Sequence, residues 1–244
     1  MNLETIKKSV VYLKCFSDDD QDTGTALFVK KENKTYLITV RHLIFSNKTK
    51  ELFNTVMKGM NYNEKRDSLG LDEIRNFSLK HVVYEENVYD MDLAIISLNF
   101  EETKGFARHL ESAGYKPLDL VYFNNKKIKE GDDIYLIGYP LFSNLGGVNP
   151  ALGNYHLPIL SSGKVAMYHE DFNYFLGNIF NYGGFSGGPV IWNNKISGIC
   201  VSQEANPLFN QDGEIITLIR YPMTYIKKAE CIFRLLERMQ SNEK

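Results

Sequence analysis

The chain has 244 residues, with 28 Lys plus Arg against 30 Asp plus Glu and a formal net charge of -2. Balanced charge argues against a dominant role on nucleic acid or an acidic membrane, where one sign of charge would collect. A hydrophobic content of 43% with 24% charged residues supports a sizeable core and excludes intrinsic disorder. All-β folds often reach this length as one unit, and 15 Tyr with 15 Phe suit a pleated surface. Three cysteines, Cys15, Cys200 and Cys231, are far apart and odd in number, as expected of buried reduced thiols rather than a disulfide framework or a zinc site. The segment MNLETIKKSVVYLKCFSDDD lacks the apolar core of a signal peptide, and no window approaches the roughly 18 apolar residues of a membrane span. The expectation is a cytoplasmic protein with no nucleic-acid or membrane partner.

In chain order, short runs rich in β-branched and aromatic residues predict strands at 9–16, 25–30, 36–40, 77–84, 93–98, 133–138, 163–168, 174–179, 189–192, 196–202 and 215–219. Frequent turns between short strands point to a barrel or sandwich. Alternating Asp18, Asp20 and Asp22 could suggest a calcium loop, but Thr23 stands where an EF-hand needs Gly and Val29 where it needs Glu. A solvated hairpin tip is the expectation there, and Lys30 to Lys34 reads as a polar turn. Longer polar stretches fall at about 46–75 and 101–116; in the second, Phe106, Leu110 and Ala113 have helical spacing. Gly, Asn and Pro in 143–158 predict a long loop. After Pro222 the pattern turns helical, with Thr224 as a cap and Ile226, Ala229, Ile232, Phe233, Leu236 and Met239 on one face.

The segment Gly183-Gly184-Phe185-Ser186-Gly187-Gly188-Pro189-Val190 places a serine among glycines. Such a turn lets backbone approach a bound carbonyl closely and lets two N–H groups converge where negative charge develops. Upstream, GTALFVKKENKTYLITVRHLI ends in a strand exit carrying His42, and YDMDLAIISL opens a strand with Asp92. This ordered set resembles the chymotrypsin-fold serine peptidases, in particular the disulfide-free bacterial trypsin-like branch. The resemblance spans most of residues 9–220, and KIKEGDDIYLIGYP at 127–140 is similar to that family's entry into its second barrel.

The resemblance implies an all-β double six-stranded barrel with a C-terminal helix, divided at about 1–118, 119–221 and 222–244. It implies Ser186 as nucleophile, His42 as general base and then acid, and Asp92 as the carboxylate orienting the imidazole. Asp90 competes with Asp92, but the family carboxylate directly precedes Leu-Ala. His81 precedes Val82 and Val83, yet only ten residues separate it from Asp92, too few for the intervening strands. His109, His156 and His169 lack a matching context. The oxyanion hole is expected from the backbone N–H groups of Gly184 and Ser186, with no metal or cofactor required. Phe185 replaces the Asp that digestive members carry before the nucleophile, so no charge-driven zymogen switch can work through it.

Phe180 occupies the position at the base of the family's specificity pocket, so a preference for Arg or Lys is not supported. Pocket walls are expected from Asn181, Tyr182, Gly183, Val201, Ser202 and Gln203, with an apolar or small residue before the scissile bond. Two functional readings stand: a serine endopeptidase acting through an acyl-enzyme, and a latent peptide-binding module on the same fold. Hydrolysis of a non-peptide ester would use identical chemistry. The expected partner is a protein or peptide substrate bound by β-strand addition, with loops 46–75 and 143–158 as candidate gates. Any regulator would be a separate protein partner.

Overall fold

A computed structural model describes residues 2–18, 20–46, 48–53, 55–57, 76–84, 92–124, 126–140, 158–210 and 212–243. Asp90, His156 and most of the stretches at 46–75 and 143–158 lie outside them. The first half contains α1 (Leu3–Lys7), β1 (Val10–Ser17), β2 (Asp20–Lys31), β3 (Lys34–Thr39), α2 (Arg41–Ile44), β4 (Thr55–Met57), β5 (Asn76–Ser78), β6 (Val82–Tyr84), β7 (Ala94–Ser97), α3 (Glu101–Ser112) and β8 (Leu118–Asp119). The second contains β9 (Asp133–Gly138), β10 (Ile159–Tyr168), β11 (Tyr174–Asn178), β12 (Pro189–Trp192), β13 (Lys195–Phe209), β14 (Ile215–Lys228) and α4 (Ala229–Asn242).

Alternation builds β1, where Val11, Leu13 and Cys15 are buried while Tyr12 and Lys14 reach outward. Its partner β2 joins β3 through a two-residue turn in which Glu32 adopts a φ of 57°. The first half becomes an eight-stranded sheet in the order β5-β4-β1-β2-β3-β7-β6, with β8 parallel to β2. The second closes into the barrel β10-β11-β14-β13-β12-β9. The all-β class, two-part architecture and C-terminal helix agree with the expected chymotrypsin-like double barrel, while the first half carries eight strands rather than six.

Three local expectations change. The run 77–84 is two strands, because it bends at buried Leu79, and the pieces join opposite ends of the sheet. The strands expected at 196–202 and 215–219 extend to 15 and 14 residues. Thr224 caps no helix: it pairs with Gly177 across the β11–β14 ladder and its hydroxyl donates to the Ile179 carbonyl at 2.7 Å. Helix α4 therefore begins five residues later, at Ala229. Apolar periodicity alone does not separate a buried strand from a buried helix, and here the ladder decides.

The halves share one core. Ile137, Tyr139, Ile191, Ile199 and Val201 of the barrel cluster with Leu27, Ile38 and Ile95 of the first sheet. Ile232, Leu235, Leu236 and Met239 of α4 pack into the same cluster. Near its end Glu243, whose side chain is 3% exposed, receives bonds from Lys34, Tyr36, Ser97 and Asn99. All three cysteines are buried and unbridged. No helix among the described residues is long and apolar enough to cross a membrane.

Candidate active site

His42 sits in the single turn α2, anchored by its buried neighbours Leu43 and Ile44. Asp92 lies two residues before β7 and is 8% exposed. One carboxylate oxygen, Oδ2, lies 2.6 Å from His42 Nδ1, and the other accepts the His42 backbone N–H at 2.9 Å. The Asp92 carbonyl accepts the Arg41 N–H at 3.4 Å. Ring and backbone of His42 are thus gripped by one residue just ahead of β7, which leaves Nε2 as the imidazole's other nitrogen.

Burial pulls the His42 pKa down, but the bond to Asp92 and its charge outweigh this, and the ring titrates above its ordinary value of 6.5. Asp22 adds a second negative field at the ring. Burial would raise the Asp92 carboxyl, yet the His42 ring and N–H hold it below the ordinary 3.8. These opposed shifts favour an imidazolium beside a carboxylate.

Ser186 lies in the turn between β11 and β12. Phe185 N–H donates to the Tyr182 carbonyl at 3.0 Å, and Gly184 at the third position of that turn has a φ of 95°. Gly187, at φ 88°, has no room for a side chain: a Cβ there would meet the Thr25 carbonyl oxygen at 1.8 Å. Among the described residues, the N–H groups of Gly184 and Ser186 have no partner, whereas Phe185, Gly187 and Gly188 spend theirs within the fold. The Ser186 hydroxyl donates to the Val201 carbonyl at 3.0 Å, and no hydrogen bond joins it to the His42 ring among the described residues. Val201 is an extra residue in the β13–β14 ladder, between the pairs Cys200↔Ile226 and Ser202↔Tyr225. A bulge of this kind re-aims the backbone of the strand that carries it.

Thr25, fully buried in β2, joins this turn to the first half. Its N–H donates to the Ser186 carbonyl at 2.8 Å and its hydroxyl to the Gly184 carbonyl at 2.7 Å, while that hydroxyl accepts the Tyr139 N–H at 3.0 Å. Gly24 sits between the two sides: a Cβ there would lie 3.0 Å from both Leu43 Cδ2 and the Ser186 carbonyl oxygen. The helix turn of His42 and the turn of Ser186 therefore meet across one glycine. Phe185, 1% exposed, enters the barrel core against Gly138, where a Cβ would lie 2.7 Å from its Cδ1. An apolar anchor thus stands directly before Ser186.

The expected pocket residues are unequal. Asn181 and Val201 are buried, Gly183 and Ser202 are exposed, and Gln203 is intermediate. Phe180 is 49% and Tyr182 47% exposed, with their rings stacked at 6.0 Å. His81 stacks on Phe100 and faces Glu102 at 3.6 Å, and His169 pairs locally with Asp171. His109 lies in α3. Among the described residues, no bond or ion pair joins His81 or His169 to His42, Asp92 or Ser186. Among the described residues no group of three or more His, Cys, Asp or Glu could hold a metal ion. Sequence reasoning missed the Thr25 hydroxyl and the Val201 bulge, for which the neighbouring Gly24-Thr25 motif was the nearest signal.

A family model described as a trypsin-like peptidase domain matches residues 24–196. The active form of the Rv3671c protease from M. tuberculosis is similar over 97% of this chain and 83% of its own, at 16% identity and a TM-score of 0.55. An inactive form of that protease is similar over 97% and 91%, at 15% identity and a TM-score of 0.51. The serine endoprotease from Yersinia pestis is similar over 99% of this chain and 66% of its own, at 16% identity and a TM-score of 0.58. No curated protein matches the chain. Likeness at such identities carries the fold and no chemistry. Because the family model spans most of the chain and the barrel, sheet and glycine-serine turn fit it, the chain belongs to the trypsin-like peptidase family.

Proposed function

We propose that this chain is a serine endopeptidase working through Ser186, His42 and Asp92. The observation that carries the reading is the double hold of Asp92 on His42, which orients the ring and raises its basicity next to a serine turn with two unspent N–H groups. The Ser186 hydroxyl turns from Val201 to Nε2, and its oxygen attacks the peptide carbonyl carbon while its proton passes to His42. The N–H groups of Gly184 and Ser186 receive the carbonyl oxygen as it becomes negative, a contribution of about 10²–10³ in rate per donor in comparable sites. Collapse of the tetrahedral species breaks the C–N bond, and the His42 proton leaves with the amine. Water then attacks the acyl-enzyme by the same route, with no metal or cofactor.

The bond from the Ser186 hydroxyl to Val201 favours a second reading, a latent peptide-binding module in which this alignment is never reached. Labelling with a fluorophosphonate, compared between the native chain and Ser186→Ala, separates the two. The peptidase reading expects labelling of the native chain alone, with turnover of a peptide substrate falling about 10⁶-fold in the variant. Absence of labelling in the native chain would support the latent module, and labelling retained in Ser186→Ala would refute the nucleophile.

A further inference from the structure

The core face of β1 and β2 ends in a charge. Register partners across this antiparallel pair lie on one face, so Val11 with Ala26, Leu13 with Gly24 and Cys15 with Asp22 follow one another along it. Five of these six residues are buried, and Asp22, at the rim, is half-buried. This is also the face that meets the proposed catalytic residues. A Cβ on Gly24 would lie 3.0 Å from Leu43 Cδ2, beside His42, and 3.0 Å from the Ser186 carbonyl oxygen. Asp22 stands two residues earlier on that face, about 6.6 Å along the strand. Its charge acts on the His42 ring of α2 and on the Cys15 thiol of β1.

The fold makes little use of this carboxylate. Oδ1 accepts the Thr23 N–H at 2.7 Å, a bond that a neutral Asn would make as well. Oδ2 has no hydrogen bond among the described residues. Burial holds the Asp22 carboxyl above its ordinary 3.8, and Asp20 adds to the rise, while the Thr23 N–H and the His42 charge pull the other way. A half-desolvated carboxylate without an ion-pair partner costs stability, so its charge calls for an explanation in what it faces. The titratable groups acting with it are Cys15, kept neutral because burial raises its thiol, Asp20 on the same strand, and His42. The His42 ring in turn faces Asp92 and Asp22, and Lys227 acts on Asp92. Of the groups facing Asp22, His42 is the one that can become positive.

Resting on the peptidase reading, we infer that Asp22 is a second carboxylate for His42, one that touches no substrate and stabilises the imidazolium formed when the ring takes the Ser186 proton. It is a positioning residue that acts through the ring. Asp92 grips Nδ1 by contact, whereas Asp22 acts through space from the rim of a buried face, where salt screens a charge less than in open water. The same field makes the resting ring harder to deprotonate. Activity at low pH is thereby exchanged for faster proton transfer once the ring is neutral.

The test is an NMR titration of the His42 ring in Ser186→Ala, where no turnover interferes, with the resonance assigned by its loss in His42→Gln. Adding Asp22→Asn keeps an acceptor for the Thr23 N–H and should lower the His42 midpoint by about 0.5 pH unit, about threefold in proton affinity. Asp22→Ser repeats the measurement with a second neutral acceptor. Asp20→Asn removes a charge from the same strand that does not act on the ring, and should move the midpoint by less than about 0.2 unit. With Ser186 present, Asp22→Asn should shift the acid limb of kcat/KM down by the same amount and lower its plateau about threefold; Asp22→Glu should restore both. A merely structural role would leave both midpoints in place. An unmoved ring in the neutral variants, an equal shift from Asp20→Asn, or a plateau that holds although the ring shifts would overturn the inference. If the ring shifts as expected while the native chain neither cleaves nor labels, the hold of Asp22 on His42 stands and the peptidase reading falls.

Discussion

Asp92 holds His42 at two points, with Oδ2 2.6 Å from the ring Nδ1 and Oδ1 2.9 Å from the backbone N–H. A side chain on a short helical turn would otherwise be free to rotate about χ1 and χ2. The double contact fixes the ring plane relative to α2 and ties that turn to the start of β7. The His42 side chain still keeps 38% of its surface, so the ring is oriented without being closed off.

Asp92→Asn keeps the shape and loses the charge. We expect kcat to fall about 10⁴-fold because the wrong tautomer is favoured. In the native chain the acid limb of kcat/KM should have its midpoint above pH 6.5, since the proposed mechanism needs neutral His42 and its pKa is raised. In the variant that midpoint should move down toward 6.5; a pH–rate profile of both proteins checks the pair. Stability is linked with opposite signs. The raised His42 contributes fully below pH 6.5 and loses its contribution as pH rises through its folded pKa, whereas the lowered Asp92 contributes above pH 3.8 and loses it as pH falls through its folded pKa.

Thr25→Val removes the hydroxyl that joins Gly184 to Tyr139 and leaves a buried carbonyl and a buried N–H without their partner. A cost of about 1–3 kcal/mol in stability is expected, with slower fluorophosphonate labelling because the Ser186 turn loses its clamp. Thr25→Ser should recover most of both losses. Urea unfolding and labelling rates on the three proteins measure it, and equal labelling in Thr25→Val would show that the clamp does not act on the turn.

At Gly187 even one methyl is excluded by the Thr25 carbonyl, and the φ of 88° disfavours any side chain. Gly187→Ala should therefore lower the thermal midpoint and abolish labelling together. Gly183→Ala is the contrast: a Cβ there meets nothing within 4 Å, so its fold should persist.

Glu243→Gln tests the anchor of α4. Lys34, Ser97 and Asn99 hold the carboxyl below its ordinary 4.5 against burial, which raises it. The native protein should lose this contribution as pH falls through that lowered value, having held it above pH 4.5. The variant should lose about 1–3 kcal/mol at pH 7 in urea unfolding. Glu237→Gln, exposed on the same helix, should stay within about 0.5 kcal/mol.

Much of the second barrel was legible locally. The strands 133–138 and 189–192 coincide with β9 and β12, and Phe106 and Leu110 mark the buried face of α3. In contrast, the outer ends of β13 and β14 group Gln203, Glu204 and Asn206 apart from exposed Leu208, Phe209, Ile215, Ile216 and Ile219, so they carry no alternating core face for a pattern to reveal.

The order of His42, Asp92 and Ser186, the glycine-serine turn and the family likeness are properties of the chain read in one dimension, because each rests on residues a few positions apart. Tertiary structure alone decided which carboxylate oxygen grips which nitrogen and that Thr25 clamps a turn 159 residues away from it. It also decided that Thr224 belongs to a strand. Those outcomes depend on ladders and contacts between distant segments, and local periodicity holds no record of which segments will meet.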